Sequence, residues 1–356
     1  MRQKFPVATA TAATAVTAGA AAVAASWLRP RREDDLRGEV AVVTGASRGL
    51  GLLLATELAQ RGCRLLICAR DEAELDRAAG RLRALGAEVA TVACDVADED
   101  TASRLVAAAQ EQYGRLDIVL SNAGVIRVGP VESTTAADYE NAVAIMALAP
   151  VRLALAALPV MQAQGHGRIV TITSIGGKIG VPHLLPYSTA KFAAVGFSEG
   201  LRAELGRGPV TVTTVVPGLM RTGSHVNADF AGQRAKEFTW FGLGASLPVV
   251  SMDAERAARQ IVAAVAQRRP EVLLTPAGQV VSRIAGVAPE LTTAVLHLAQ
   301  KRLLPAADDD TEALPGRSIR SALPEPVFGA LTSLGRAAAR RFNELGTADR
   351  LKAQEP

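Results

Sequence analysis

The chain has 356 residues, enough for one large domain or two small ones. Hydrophobic residues make up 49% and aromatics only 4%, so a large core must be built from Ala, Val, Leu and Ile. The formal charge is +4, from 39 basic and 35 acidic residues, with much of the excess in Arg29, Arg31, Arg32 and Arg37; no basic run is interleaved with aromatics, which argues against a nucleic-acid partner. Cys63, Cys68 and Cys94 lack Cys-x-x-Cys spacing and read as buried free thiols, suited to a reducing compartment. His166, His183, His225 and His297 share no metal-ligand spacing, so no metal is expected.

In chain order, Val7 to Leu28 comes first, a run of 22 residues without a charge. It is long enough to span a bilayer but consists mostly of Ala and Thr, which insert weakly. Three readings stay open for it: a weak membrane anchor, a cleaved signal peptide and a disordered leader. The cations after the run favour keeping the following domain in the cytoplasm. From Gly38 onward, short apolar runs alternate with longer amphipathic segments. Strands are expected at 39–44, 64–69, 88–93, 116–121, 167–173, 210–216 and 271–275. Helices are expected at 48–61, 72–85, 101–113, 136–164, 186–205 and 253–267. Continuous apolar strands alternating with helices predict a doubly wound α/β fold with a parallel sheet covered on both faces.

Residues 219–250 mix Gly, Ser, Phe and Trp without a period, in a connection long enough to be a lid. Beyond the last strand, 278–304 is an apolar helical stretch interrupted by Pro289. It could cover the core, join a partner or touch a membrane, with packing or oligomer contact ranked first. Residues 306–326 are acidic and then Pro-rich, as in a linker, and 327–345 reads as one last amphipathic helix.

Two local patterns carry chemistry. Thr44-Gly45-Ala46-Ser47-Arg48-Gly49-Leu50-Gly51 joins the first strand to the first helix. Its glycines allow a tight turn and close approach to a pyrophosphate, whose charge the helix N-terminus favours. Tyr187 and Lys191 stand four apart on an expected helix, hence on one face, with Ser174 thirteen residues before the tyrosine. An ammonium near a phenol favours the phenolate and predicts a tyrosine pKa below its usual value of about 10. Such a phenol can give a proton to a carbonyl oxygen or take one from an alcohol.

On these residues the chain resembles the short-chain dehydrogenase/reductases. The turn Thr44 to Gly51, the Asn122-Ala123-Gly124 motif, Ser174 with Tyr187 and Lys191, and Pro217-Gly218 followed by Thr222 match four family motifs in order, over about residues 38–275. The resemblance implies a Rossmann fold that binds a nicotinamide dinucleotide and reduces a carbonyl reversibly to an alcohol. It implies Tyr187 as general acid or base, Lys191 lowering its pKa and holding the nicotinamide ribose, and Ser174 holding the substrate oxygen. It assigns cofactor contacts to Gly45, Ser47, Arg48, Gly49, Leu50, Gly51, Arg70, Asp95, Asn122, Ala123, Gly124, Tyr187, Lys191, Pro217, Gly218 and Thr222, with Asp95 on the adenine.

Charge then predicts NADP(H). The second strand ends Cys68-Ala69-Arg70-Asp71, with Arg70 at or beside the place of the acid that binds ribose hydroxyls in NAD-preferring members. Arg48 adds a second guanidinium suited to a 2′-phosphate, while Asp71 blurs the assignment by one position. One departure stands out: Met146 occupies the position where the family often has an Asn that holds a proton-relay water. Asn141 lies about 140° around the helix from it. Phe230, Phe238, Trp240 and Phe241 are expected either to line an apolar substrate pocket or to pack the lid. His183 is read as structural or solvated.

The expected organisation is an apolar leader with a basic linker (1–37), a Rossmann catalytic domain (38–275) and a helical extension with a Pro-rich linker (276–356). The expected protein is a homo-oligomeric oxidoreductase acting on a small, apolar carbonyl or alcohol. Its catalytic domain is expected in the cytoplasm, with a possible anchor at 7–28. The alternative is a non-catalytic NADP(H)-binding scaffold or sensor, the reading that Met146 favours.

Overall fold

The computed structural model describes residues 36–345; the apolar leader at 7–28 lies outside them. Seven strands, β1 (Val40–Thr44), β2 (Arg64–Ala69), β3 (Val89–Ala93), β4 (Ile118–Ser121), β5 (Gly167–Ile172), β6 (Val210–Val216) and β7 (Glu271–Leu273), form one sheet in the order β7-β6-β5-β4-β1-β2-β3. Every pairing in it is parallel. The central strands are continuous apolar runs because both faces are covered: β1 reads Val-Ala-Val-Val-Thr and is buried along its whole length. The order in which strands are added reverses between β1 and β4, so the carboxyl ends of these two parallel neighbours open a crevice, the usual ligand position in such sheets.

The helices that connect the strands lie on the two faces. α1 (Gly49–Gln60) and α8 (Ala254–Ala266) bury Leu54, Leu58, Ile261 and Val265 against one face. α3 (Thr101–Tyr113) and α5 (Ala149–Gln164) bury Leu105, Leu153 and Met161 against the other. α2 (Glu72–Ala84) follows β2, and α6 (Leu185–Leu205) precedes β6. The expected helix at 136–164 forms as α4 (Ala136–Val143) and α5 joined by one π-helical turn at Ala144–Leu148. The stretch is apolar and long enough to cross a membrane, yet its inner side packs into the sheet core.

Three expectations for the later chain are corrected. Residues 219–250 are not an aperiodic loop: they contain short strands at Met220–Arg221 and Asp229–Phe230 and the helix α7 (Arg234–Ser246). Residues 306–326 are not a free linker. Leu314–Pro315 pairs antiparallel with Asp229–Phe230, which pairs in turn with Arg127–Val128, so a small three-stranded ladder ties the extension to the domain. The last amphipathic segment is two short helices, α11 (Glu325–Leu331) and α12 (Ser333–Arg341), broken at Thr332. The stretch 278–304 splits at Pro289, as a proline break requires, into α9 (Pro276–Val287) and α10 (Pro289–Leu303); neither helix has a buried residue.

Candidate active site

The turn after β1 is shaped by its glycines. Gly45 has φ +64, and a Cβ there would meet Ala123 backbone at 2.8 Å; a Cβ on Gly51 would collide with the Gly45 carbonyl oxygen. Thr44 and Asn122 stitch this turn to the end of β4. The Thr44 hydroxyl accepts from the backbone N–H of Asn122 at 3.0 Å and of Ala123 at 3.2 Å. The Asn122 amide donates to the carbonyls of Thr44 and Gly45, both at 3.2 Å. Asn122 therefore acts in this structure as a framework residue that holds two strand ends together at the crevice.

At the other end of the crevice, Ser174 follows β5, and Tyr187 and Lys191 lie on the first turns of α6. Ser174 Oγ accepts from the Gly176 N–H at 3.1 Å, and the Ser174 side chain is hydrogen-bonded to the Tyr187 phenol. Lys191 Nζ donates to the Ile172 carbonyl at 2.8 Å and stands 5.7 Å from the centre of the Tyr187 ring. Both side chains are desolvated, and this corrects the expected tyrosine pKa. Burial pushes the Tyr187 phenol above its ordinary value, while the Ser174 bond pulls it the other way. Burial also brings the Lys191 ammonium down to about 8.

The two ends belong to one cleft of about 610 Å³. Every site residue expected from the sequence lines it: Gly45, Ser47, Arg48, Gly49, Leu50 and Gly51 from the turn, Arg70 and Asp95 after β2 and β3, Asn122, Ala123 and Gly124 after β4, Ser174, Tyr187 and Lys191, and Pro217, Gly218 and Thr222 after β6. The volume, the glycine turn that admits no Cβ and the N-terminus of α1 in the cleft wall fit an extended dinucleotide.

The charges around the cleft are more evenly balanced than the sequence suggests. Arg70 lies 3.6 Å from Asp95, and Arg48 is held by Glu74 at 3.1 Å and Glu344 at 3.4 Å. Asp71 is committed elsewhere, since its Oδ1 accepts from the Glu74 N–H at 2.8 Å as the N-cap of α2. Glu74 and Glu344 were not legible as site residues. The first sits inside an ordinary amphipathic helix, and the second is brought from the far end of the chain by packing alone.

Met146 is buried in the π-helical turn, lines the cleft, and belongs to an apolar cluster that includes Ile145, Ala190 and Tyr187. Its thioether is at best a weak acceptor, so it cannot hold a water as an amide would. Asn141 is exposed one turn earlier and takes no part in the cleft. The aromatic residues expected at the pocket resolve to the packing alternative. Phe230, Phe238 and Phe241 are buried, with Phe230 and Phe238 edge to face at 5.4 Å, and neither they nor Trp240 line the cleft. His183 is structural too: buried at φ +62, its Nδ1 meets Glu237 Oε1 at 2.8 Å.

Comparison with known proteins agrees with this geometry. Residues 39–230 match the short chain dehydrogenase family model. A Streptomyces violaceoruber protein named as a ketoacyl reductase of a granaticin polyketide synthase is 40% identical over 200 residues, covering 54% of this chain and 72% of its own. A Burkholderia phymatum short chain dehydrogenase/reductase solved with NAD superposes with a TM-score of 0.66 at 27% identity, over 72% of this chain and 96% of its own. The L-sorbose reductase of Gluconobacter frateurii, solved with NADPH and L-sorbose, gives 0.61 at 25% identity over 68% and 97%. With its parallel seven-stranded sheet, its glycine turn and its family match over more than half its length, this chain belongs to the short-chain dehydrogenase/reductase family of oxidoreductases.

Proposed function

We propose that the protein interconverts a carbonyl and an alcohol with NADP(H) as cofactor, and that Tyr187 is the proton donor in reduction and the acceptor in oxidation. The observation that carries this reading is the Ser174–Tyr187 hydrogen bond with Lys191 beside the ring, in the same cleft as the glycine turn. When bound, the nicotinamide dinucleotide supplies the redox chemistry, and the protein's part is to bind, orient and move a proton.

Tyr187 is suited to the acid role because burial keeps the phenol protonated at neutral pH. Ser174, already bonded to it, offers a second hydrogen bond to the same substrate oxygen and stabilises charge developing there. Lys191 offsets the negative charge left on the phenol when its proton departs. The glycine turn and the N-terminus of α1 would hold the diphosphate. Arg70, whose side chain is 62% exposed at the mouth of the cleft, and Arg48 support a 2′-phosphate and so NADP(H) over NAD(H). Reprotonation of Tyr187 then follows a path that does not use residue 146.

In this reading the substrate is a small carbonyl compound with an apolar body, received by Val125, Ile126, Ile145 and Met146. The catalytic domain works in the cytoplasm as a homo-oligomer. A screen of ketones and aldehydes for NADPH consumption tests the activity, with Tyr187→Phe as control. The variant is expected to lose about 10²–10⁴-fold in turnover while still binding NADPH. Full activity in Tyr187→Phe overturns the reading.

A further inference from the structure

The last described residues lie across the dinucleotide turn. The Phe342 carbonyl accepts the Gly49 N–H at 2.8 Å, taking one of the free donors at the start of α1. The Asn343 amide donates to the Ser47 carbonyl at 2.7 Å and the Glu74 carbonyl at 3.2 Å. Asn343 adopts φ +65, and this left-handed turn directs the following residue inward. Glu344 is buried in the cleft wall: its Oε2 accepts from the Asn227 amide at 2.7 Å and faces Arg48 Nε at 3.4 Å. Its Oε1 occupies the space into which a Cβ on Gly49 would project, directly at the N-terminus of α1.

A carboxyl group thus stands where the helix N-terminus and Arg48 favour an anion. Phosphate groups bind at such helix ends for the same reason, through free N–H donors and the positive end of the dipole. Two acceptors of this chain, the Phe342 carbonyl and the Glu344 carboxyl, hold that position, and Glu344 together with Glu74 engages the guanidinium proposed above for the 2′-phosphate. The cost of placing the carboxyl here is visible, since burial raises its pKa to about 7 against the pull of Arg48 and Asn227.

We infer that Glu344 is a cofactor-affinity determinant supplied by the C-terminal extension: its carboxyl competes with the dinucleotide's phosphates for the N-terminus of α1 and for Arg48, and segment 342–344 withdraws when the cofactor binds. The inference rests on the dinucleotide reading of the cleft. It adds a residue outside the stretch that matches the family, whose core ends well before it.

The experiment titrates full-length wild type, Glu344→Ala and Glu344→Gln with NADPH and with NADH by calorimetry. It also follows hydrogen exchange of the peptide containing 342–345 in the wild type with and without NADPH. Glu344→Ala is expected to lower the Kd about tenfold, with Glu344→Gln, which keeps a partner for Asn227 but no charge, between it and wild type. Exchange at 342–345 is expected to rise with NADPH. Binding that neither substitution tightens, or stronger protection of 342–345 with NADPH, overturns the inference and leaves the dinucleotide reading intact. No binding of either nucleotide by any of the three proteins removes both.

Discussion

The two ends of the cleft are built by different means. At the Tyr187 end, Ser174, Tyr187 and Lys191 lie within eighteen residues of one another, just after β5 and on α6, and their contacts are local. At the Gly45 end, the glycine turn is equally local, but the charged and polar groups around it come from across the chain: Glu74 from α2, Asn227 from the segment after β6, and Glu344 from the C-terminal extension. A proton-transfer centre needs a few side chains fixed to one rigid element. The charge balance at an anion site is the sum of everything that packs near it, so a distant segment can reset it without altering a motif.

The extension itself shows the same contrast. Its first half, α9 and α10, buries no residue and leaves Val287 88% and Leu303 74% exposed. Its second half docks: Phe328 joins the aromatic cluster under α7 at 5.4 Å from Phe238, and Phe342 enters the core beside α1. If this second half is integral to the domain, Phe328→Ala should cost about 3–5 kcal/mol in urea unfolding, the usual price of emptying a buried phenylalanine site. A variant as stable as wild type would show that the extension is an appendage and would break the comparison.

The buried carboxyl at the Gly45 end should make stability fall as pH rises. Glu344 titrates at about 7 in the folded protein against an ordinary 4.5, so the folded state binds its proton more tightly than the unfolded state does. The stability it contributes is complete below pH 4.5 and is lost as pH rises through 7, to the extent of roughly 3 kcal/mol at most. Glu344→Gln, which has no proton to lose, should therefore gain on wild type between pH 5 and pH 8 in thermal unfolding. Parallel pH profiles for the two proteins would place the carboxyl in solvent.

The Tyr187 end should respond with the opposite sign. The ammonium of Lys191 is the dominant form below about 8 and the neutral amine above it, whereas the unfolded side chain keeps its proton to about 10.5. Stability from this group is present above 10.5 and lost as pH falls through 8. If the ammonium supports proton donation by Tyr187, kcat/KM for carbonyl reduction should drop by about tenfold per pH unit above 8. Lys191→Arg, which keeps its charge at any accessible pH, should flatten that limb. A limb unchanged in Lys191→Arg would assign it to another group.

How much of this was legible in the sequence follows from the range of the interactions. The alternation of apolar strands and amphipathic helices predicts the sheet almost to the residue, because each strand and each helix records its own burial. The glycine turn, Asn122, Ser174 and the Tyr187–Lys191 spacing predict the cleft for the same reason: each motif carries its constraint within a few residues. Residues 219–250 were not legible, since a helix that buries Phe238 and Phe241 against Phe328, about ninety residues away, shows no clean period of its own. The depth of burial around Tyr187 and Lys191 was equally hidden, and it reversed the expected direction of the tyrosine pKa.

The sequence alone determined the fold class, the family and the position of a cleft with a tyrosine, a lysine and a serine in it. These follow from short-range pattern, which any copy of the chain carries before it folds. Only the tertiary structure decided the electrostatics: that Tyr187 is desolvated, that Arg48 is shared between two carboxylates, and that Glu344 reaches the start of α1. Desolvation and Coulomb interactions depend on distance through space, and the segment from Phe342 to Glu344 meets Gly49 only because the extension folds back onto the domain.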